Sequence, residues 1–434
     1  MKHLAWIAIA LFVMLPLFSC SSDSTGPGGG GDVGGDYVVF AWNNLGMHCL
    51  NDTYDQAVIL PPYNTLWAQV VLKGNPPEIV TSGVTVDYAI DVNTYSYGKR
   101  SYGQFWDNAV ALFGPLLGIT SLPHDIGLTG IGLSGKMTAA ADHFIAEGIP
   151  VTPVNDAGQW NPYQAALITV RSSGGTVLAQ TRATVPVSDE INCAKCHGQD
   201  AWHDVLLKHD QLHTTNLLAS TPVLCASCHG SPALGTSGPG TSGIYLSKAI
   251  HGAHASRGAV CYDCHPGPAT LCNRSVRHST TDGNCTTCHG TIDQVASTIP
   301  GARIPWVNEP SCVSCHTGVA GVATGFALYR DAPGHGGLYC ATCHGSPHAM
   351  YPSRLALDNY QPLQYQNFTG KVKTLGSCGV CHDSSRGEGV GGEFSEVHGG
   401  TGPERKIGCH MCHTVVPTET SKWPHAYEWK NSNG

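Results

Sequence analysis

The pattern of apolar and polar positions divides the chain at about residue 190. Before that point, short runs rich in β-branched and aromatic residues alternate with turn residues, as in a β sandwich. The last run continues beyond Ser-Ser-Gly-Gly, which predicts a β-hairpin. We therefore predict a mainly β, immunoglobulin-like sandwich at 36–190, with one short helix near 138–147. The predicted strands are 36–42, 65–72, 84–92 and 165–170.

The second part, residues 191–434, shows neither sustained alternation nor sustained helical periodicity. Its glycines and prolines favour loops and turns over long helices. Something other than side-chain packing must therefore hold this region together. We predict a loop-rich domain with few short helices.

The N-terminus has the pattern of a lipoprotein signal. Lys2 and His3 precede a short apolar run that ends in Leu-Phe-Ser-Cys, which predicts a signal peptide at 1–20 with Cys20 as the lipidated residue. The apolar run is too short for a typical membrane span. A Gly/Ser-rich flexible linker follows at 21–35. Ser21 favours sorting to the outer membrane; the alternatives are the periplasmic face, or cleavage near Ser21 that releases a secreted protein.

Composition directs attention to ligand chemistry. The 434 residues include 19 cysteines and 23 histidines, well above ordinary usage, while only 12% are charged. The net charge of −8 argues against nucleic acid as a partner, because that electrostatic footprint is basic.

The sequence Cys-x-x-Cys-His occurs eight times after residue 190. Two cysteines at this spacing can each form a thioether with one vinyl group of haem, and the next histidine can bind the iron as proximal ligand. The predicted thioether cysteines are Cys193, Cys196, Cys225, Cys228, Cys261, Cys264, Cys285, Cys288, Cys312, Cys315, Cys340, Cys343, Cys378, Cys381, Cys409 and Cys412. The predicted proximal ligands are His197, His229, His265, His289, His316, His344, His382 and His413.

Zinc sites and disulfide frameworks also use paired cysteines, but neither requires a histidine after every second cysteine. The array therefore predicts eight covalently bound haem c groups and no catalytic residue. About 30 residues per porphyrin is too little protein to insulate the haems, so they must pack in near contact and pass electrons between neighbours.

Histidines outside the motifs are numerous enough to bind the second face of each iron. Methionine is scarce in this region, so bis-histidine, low-potential haems are expected. The main distal candidates are His209, His213, His251, His254, His278, His335, His348 and His398. His203, His425 and His48 are secondary candidates, while His124 and His143 are expected at the surface.

The motif array resembles the octahaem c-type cytochromes of dissimilatory metal-reducing bacteria. The likeness includes P-G-H-G-G-L-Y-C-A-T-C-H-G-S-P-H at 333–348 and A-I-H-G-A-H at 249–254, and it covers residues 191–434. It implies electron transfer at the outer surface, to partner cytochromes or extracellular acceptors such as metal oxides, with the chain held on the outer membrane by its lipid.

Two other functions remain open. One is an octahaem oxidoreductase that acts on a small nitrogen or sulfur substrate at one open haem, although every motif here ends in histidine. The other is a subunit of a polymeric haem filament.

Cys49 and Cys272 are the mature-chain cysteines left over besides Cys20, and an oxidising compartment favours a disulfide between them. That bond would place His48 at the domain junction.

Overall fold

The computed structural model describes residues 35–74, 76–278, 284–299, 301, 303–316, 328–366, 372, 374–375, 378–382, 413–415 and 428–429. For Val313, Cys378 and the last two segments, only the backbone is described. The N-terminal part is β-rich and the remainder is loop-rich with short helices, as the sequence predicts. The division into a sandwich domain at 36–190 and an octahaem cytochrome c domain at 191–434 stays a prediction. No helix in the described ranges is long and apolar enough to span a bilayer.

The N-terminal part is built from two five-stranded sheets. The strands are β1 (Tyr37–Asn43), β2 (His48–Cys49), β3 (Ala57–Val58), β4 (Thr65–Leu72), β5 (Glu78–Ile79), β6 (Val84–Ile90), β7 (Ser134–Lys136), β8 (Thr138–Ala139), β9 (Phe144–Glu147), β10 (Tyr163–Ser172) and β11 (Val177–Ser188). Ten of these eleven strands form the two sheets, and β3 lies outside them. One sheet has the order β1-β4-β9-β8, with β5 on β4, and the other has the order β2-β11-β10-β6-β7. Alternate residues of β1, β4, β6, β10 and β11 share one apolar core, so the predicted sandwich is present.

The helix predicted near 138–147 is wrong. Residues 138–139 and 144–147 are β8 and β9, and β9 pairs antiparallel with β4 from Thr65↔Glu147 to Ala68↔Phe144. Pairing with a buried neighbouring strand outweighs the helix propensity of the alanines in this segment. The helix of this region is instead α1 (Gly103–Leu117), whose apolar face packs into the sandwich core.

The remaining chain forms short helices joined by loops. They are α2 (Ala194–His197), α3 (Ala201–His213), α4 (Leu246–Ala255), α5 (Thr286–His289), α6 (Ile292–Thr298), α7 (Cys340–His344) and α8 (Tyr360–Gln366). Short strands complete it: β12 (Val223–Leu224), parallel to β3, and β13 (His413–Val415), antiparallel to β14 (Glu428–Trp429). Single 3-10 turns lie at Leu218–Ser220, Cys225–Ser227, Pro232–Leu234, Cys261–Asp263, Cys312–Ser314, Tyr329–Asp331, His335–Gly337, Ala356–Asn359 and Cys378–Val380.

The loop-rich part packs directly on the outer face of the sheet that contains β1 and β4. Phe40, Trp42 and Trp67 form an apolar cluster there with Tyr339 and other residues of the second part. Backbone groups at the contact are satisfied by buried side chains: the Gln361 amide both accepts from the Ala41 N–H and donates to the Ala41 carbonyl. The sandwich is therefore a packing surface for the motif-bearing region.

His143 also lies at this contact, so its predicted surface position is wrong. Its ring stacks on Trp67 with centroids 4.2 Å apart, and only 9% of the residue is exposed. The Tyr339 hydroxyl donates to the Asp142 carboxylate at 3.1 Å, which closes the cluster from the other side.

Candidate functional site

Each described Cys-x-x-Cys-His segment forms a single helical turn. At the segments beginning at Cys193, Cys225, Cys261, Cys285 and Cys312, the backbone N–H of the histidine donates to the carbonyl of the first cysteine at 2.9–3.1 Å. An i to i+4 turn places its first and last residues on one face, so the first cysteine and the histidine lie next to each other. Each segment is called a site below and is numbered by its first cysteine: 193, 225, 261, 285, 312, 340, 378 and 409.

Six predicted proximal histidines face a second histidine across a constant gap. The ring centroids are separated by 6.0–6.3 Å in every pair. The pairs are His197 with His254, His229 with His209, His265 with His251, His289 with His348, His316 with His278, and His382 with His335. Each of these partners is one of the main distal candidates.

This gap is the one that a metal ion between two imidazoles requires. An imidazole nitrogen lies about 2.0 Å from a bound ion and about 1.1 Å from its own ring centre, so two rings on opposite sides have centres about 6.2 Å apart. A tetrahedral zinc site needs four converging ligands. In the ranges that the structure describes, no group of three or more His, Cys, Asp or Glu side chains converges in this way. The donor set therefore fits axial ligation of haem iron.

Hydrogen bonds on the far ring nitrogen orient these histidines. A metal-binding histidine usually donates its other ring N–H to a carbonyl, a carboxylate or another acceptor, which fixes the tautomer and the ring direction. The Nδ1 partners are Asp204 for His197 (2.7 Å), Thr215 for His209 (2.9 Å), Ser242 for His229 (2.9 Å), the Ser247 carbonyl for His251 (2.7 Å), the Ile250 carbonyl for His254 (2.7 Å), Ser275 for His278 (3.3 Å) and the Leu45 carbonyl for His348 (3.2 Å).

Backbone carbonyls fix the position of one ring proton in three of these histidines. A carbonyl oxygen can only accept, so Nδ1 of His251, His254 and His348 carries a proton, and Nε2 is the nitrogen available to a metal when the ring is neutral. Burial also lowers the pKa of the proximal His265 to about 4, with a smaller contribution from His251. Neutral imidazole is the form that binds metal, so the lowered pKa of His265 favours ligation.

A single large cavity runs between the paired histidines. Its volume is about 3530 Å³, and its wall includes cysteines and histidines of the 193, 225, 261, 285, 312, 340 and 378 sites. Pockets for one small ligand have volumes of about 300–1,000 Å³. The cavity is therefore large enough for several planar cofactors that lie against one another.

Cysteines of different sites are close neighbours along this cavity. Burial, with a smaller contribution from the Cys264 thiol, raises the pKa of Cys193 to about 11. Burial, with a smaller contribution from Cys312, raises the pKa of Cys340 to about 11. Burial and then Cys261 likewise raise the pKa of Cys285. The 193 and 261 sites, the 261 and 285 sites, and the 312 and 340 sites are thus adjacent pairs.

The other candidate histidines occupy different positions. His344 and His213 line the same cavity, and the exposed His213 ring lies 4.8 Å from His209 at the end of α3. His48 and His203 are not part of the cavity wall: the buried His48 lies with Nε2 3.3 Å from the Asn44 side-chain oxygen, and His203 is exposed on α3. Alternation along β2 explains the direction of His48, because its neighbours Met47 and Cys49 face the cavity.

Several predicted residues lie outside the described part of the chain. They are the lipidation residue Cys20, the thioether cysteines Cys409 and Cys412, and the distal candidates His398 and His425. Cys378 and His413 are described in their backbone alone, in a 3-10 turn and in β13.

Sequence reasoning missed the role of residues 44–49 (Asn-Leu-Gly-Met-His-Cys). The Leu45 carbonyl accepts from His348, and Gly46 adopts φ +80° against the second part of the chain. A Cβ on Gly46 would lie 1.6 Å from the Pro347 carbonyl oxygen, so only glycine fits. The glycine was the available signal, but nothing in the sequence indicates which segment approaches it.

Cys49 and Cys272 both face the cavity, at the junction of the two parts of the chain. Cys49 pairs with Ser188 in the parallel β2–β11 ladder, and the Ser188 hydroxyl lies 2.8 Å from that of Thr270. Burial and then the Cys272 thiol raise the pKa of Cys49. The two residues are therefore neighbours; the structure does not join their sulfurs, and the disulfide stays a prediction.

Comparison with known families agrees with this chemistry. Residues 205–290 match the family model described as cytochrome c7 and related cytochrome c. Residues 296–345 match the model described as cytochrome c554 and c-prime. No curated protein and no solved structure matches the chain. The two family matches support a multihaem electron-transfer cytochrome with covalently bound haem c.

Proposed function

We propose that this protein carries electrons along eight closely packed c-type haems, most of them bound by two histidines. The observation that supports this most strongly is the constant 6.0–6.3 Å separation within six histidine pairs. Each pair joins a motif histidine to a histidine from a separate segment or helix. Bound haem supplies an iron that takes up and gives back one electron.

The chain's own residues would hold the cofactors. The paired cysteines on their helical turns would attach each haem, and the Nδ1 partners would keep the ligating imidazoles in a fixed orientation. Hydrogen bonds to these acceptors also raise the basicity of the ligating nitrogen. Bis-histidine ligation leaves no open coordination position, so an electron carrier is favoured over an enzyme.

The arrangement of ligands supports an order for the haems. Helix α4 carries both His251 and His254, which face the 261 and 193 sites and lie on one helix face about 5–6 Å apart at Cβ. Helix α3 links the 193 site to the 225 site, because Asp204 binds His197 and His209 faces His229. Near the other end, the Leu375 N–H donates to the Cys343 carbonyl at 2.9 Å, between the 340 and 378 sites. Cys312 also lies within electrostatic reach of Cys288, which connects the 285 and 312 sites. The proposed path is 225–193–261–285–312–340–378, with the 409 site following in sequence.

Protein-film voltammetry on the full-length holoprotein tests the function. We expect electron exchange with the electrode over a broad range of low potential, wholly low-spin haem spectra, and no added current with nitrite or hydroxylamine. A catalytic current with either substrate, together with a high-spin ferric signal, would identify the minority alternative, an octahaem oxidoreductase with one open haem.

The N-terminal pattern and the resemblance support a proposed location and proposed partners. We place the protein at the outer membrane, held by lipid on Cys20, with partner cytochromes or extracellular acceptors such as metal oxides receiving the electrons. Cys20→Ser should move the protein from the membrane fraction to the soluble fraction, and retention in the membrane would oppose the anchor. Electron microscopy of the purified protein should show single particles; filaments would support the alternative of a haem polymer.

A further inference from the structure

The cavity wall is cationic although the whole chain is acidic. Among the described residues, its wall contains three acidic side chains against six cationic ones, and the chain as a whole has a net charge of −8. The cationic side chains are Lys208, Lys248, Arg257, Arg277, Arg303 and Arg330. A cleft whose wall has an excess of one sign of charge favours an occupant of the opposite sign. An anionic group is therefore expected inside.

Arg303 is the member of this set with an unsatisfied buried atom. Its Nε is shielded from solvent and has no hydrogen-bond acceptor among the described residues. The residue follows α6, and its backbone N–H donates to the Thr298 carbonyl at 3.2 Å, which fixes the start of the side chain. Burial lowers the pKa of Arg303, the direction expected when a charge is removed from water without a counter-ion.

Arg303 lines the cavity together with His251 and His289. Its neighbour Ile304 packs against Val295 of α6 and against Tyr245, which directly precedes α4. His289 belongs to the 285 site and His251 faces the 261 site. Arg303 thus lies at the junction of two neighbouring sites in the middle of the proposed path.

A carboxylate fits this geometry. The half-buried Arg303 has a shielded Nε without an acceptor, which costs free energy, and the planar fork of a guanidinium matches a carboxylate in a two-point contact. Each haem bears two propionate groups. We propose that Arg303 binds a haem propionate at the junction of the 261 and 285 sites and raises the reduction potential of that haem. This inference rests on the proposed attachment of haem at these sites.

The sign of the effect follows from the charge. A fixed positive charge beside a haem stabilises the reduced iron, whose charge is lower by one. Removal of the charge therefore favours the oxidised form of the haem nearest to Arg303. The reduction potentials of the remaining haems change less, because these haems lie farther from Arg303 and are screened by solvent and by one another.

The test compares Arg303→Gln, Arg303→Lys and the control Arg171→Gln in the full holoprotein. Arg171 lies on β10 outside the cavity, in a partly exposed pair with Asp87. Spectroelectrochemical titration gives the potentials, redox-difference infrared spectra report the carboxylates, and a pyridine haemochrome assay counts the haems.

We expect Arg303→Gln to lower the reduced-to-oxidised ratio of one or two haems about three- to tenfold at a fixed potential, tenfold corresponding to about 59 mV for a one-electron couple. Arg303→Lys should keep the potentials near wild type but shift a carboxylate band, because the two-point contact is lost. This variant keeps the charge and the aliphatic stem, so it serves if Arg303→Gln fails to fold.

The proposal would be overturned if the carboxylate bands of Arg303→Lys matched those of the wild type. It would also be overturned if the redox titrations of Arg303→Gln and Arg171→Gln were identical. These outcomes leave haem attachment intact, since the haemochrome count stays at the wild-type value. A wild-type count near zero would instead overturn the proposed function itself.

Discussion

The imidazole rings of His289 and His348 face each other with centroids 6.0 Å apart, and the His348 ring is held by the carbonyl of Leu45. Leu45 lies between β1 and β2 of the sandwich. A loop of the β-rich part therefore orients a predicted haem ligand of the motif-bearing part. The sandwich is a structural component of the 285 site as well as a packing surface.

Gly46→Ala should disrupt this site from the sandwich side. The new methyl group would meet the Pro347 carbonyl oxygen and displace the adjacent His348. We expect one haem to lose an axial ligand, seen as a new high-spin signal in electron paramagnetic resonance. Gly83→Ala is the control, because Gly83 also has positive φ (+73°) but an added Cβ meets nothing within 4 Å. That variant should lose only about 1–2 kcal/mol of stability from backbone strain; equal spectra for the two variants would contradict the role of Gly46.

His254→Ala should remove the distal ligand of the 193 site alone. His254 faces His197 at 6.1 Å, whereas His251 on the same helix serves the 261 site. We expect about one haem in eight to change from low spin to high spin, read from the integrated resonance signal. His203→Ala, an exposed position on α3, should leave the spectrum unchanged. A wholly low-spin spectrum for His254→Ala would contradict the assigned pair.

Asp358→Ala should destabilise the fold strongly. Asp358 pairs with Arg274 through two contacts of 2.8 and 3.2 Å, and the two side chains are 4% and 1% exposed. Removal of one partner from a buried pair costs about 3–5 kcal/mol, because the other charge stays buried. Asp91→Ala, which breaks the more exposed pair with Arg182, should cost about 0–1 kcal/mol. Urea unfolding followed by circular dichroism measures both, and equal losses would contradict the structural role of the buried pair.

Cys49 and Cys272 should be oxidised to a disulfide in the mature protein. The two residues are neighbours at the junction, and the proposed export would bring the chain into an oxidising environment. The denatured, unreduced holoprotein should therefore show no free thiol from this pair. Cys272→Ser should release the Cys49 thiol and give one reactive group. Two reactive thiols in the unmodified chain would exclude the bond.

The sequence alone predicts what depends on local patterns. Strand 65–72 coincides with β4 because alternation and β-branched residues act over a few positions. Helix α1 was also predictable, since Phe105, Ala109 and Leu112 repeat at helical spacing and are buried. Residues 138–147 were misassigned because their alanines indicate a helix, whereas the fold pairs them with β4.

Some residues of the candidate site can also be predicted from local patterns, whereas others depend on how distant segments pack. A Cys-x-x-Cys-His segment carries its own geometry, so the attachment residues and proximal histidines can be predicted locally. Pairing of a distal histidine with a particular motif depends on how distant loops pack, as for His335 with His382. The spare histidines could therefore be named from the sequence, but not assigned to individual sites.

The most direct test of the account is the number of haems per chain. A pyridine haemochrome assay on purified protein, divided by the protein concentration from amino-acid analysis, measures it. We predict eight covalently bound haems, one for each Cys-x-x-Cys-His sequence. A ratio near zero would contradict it.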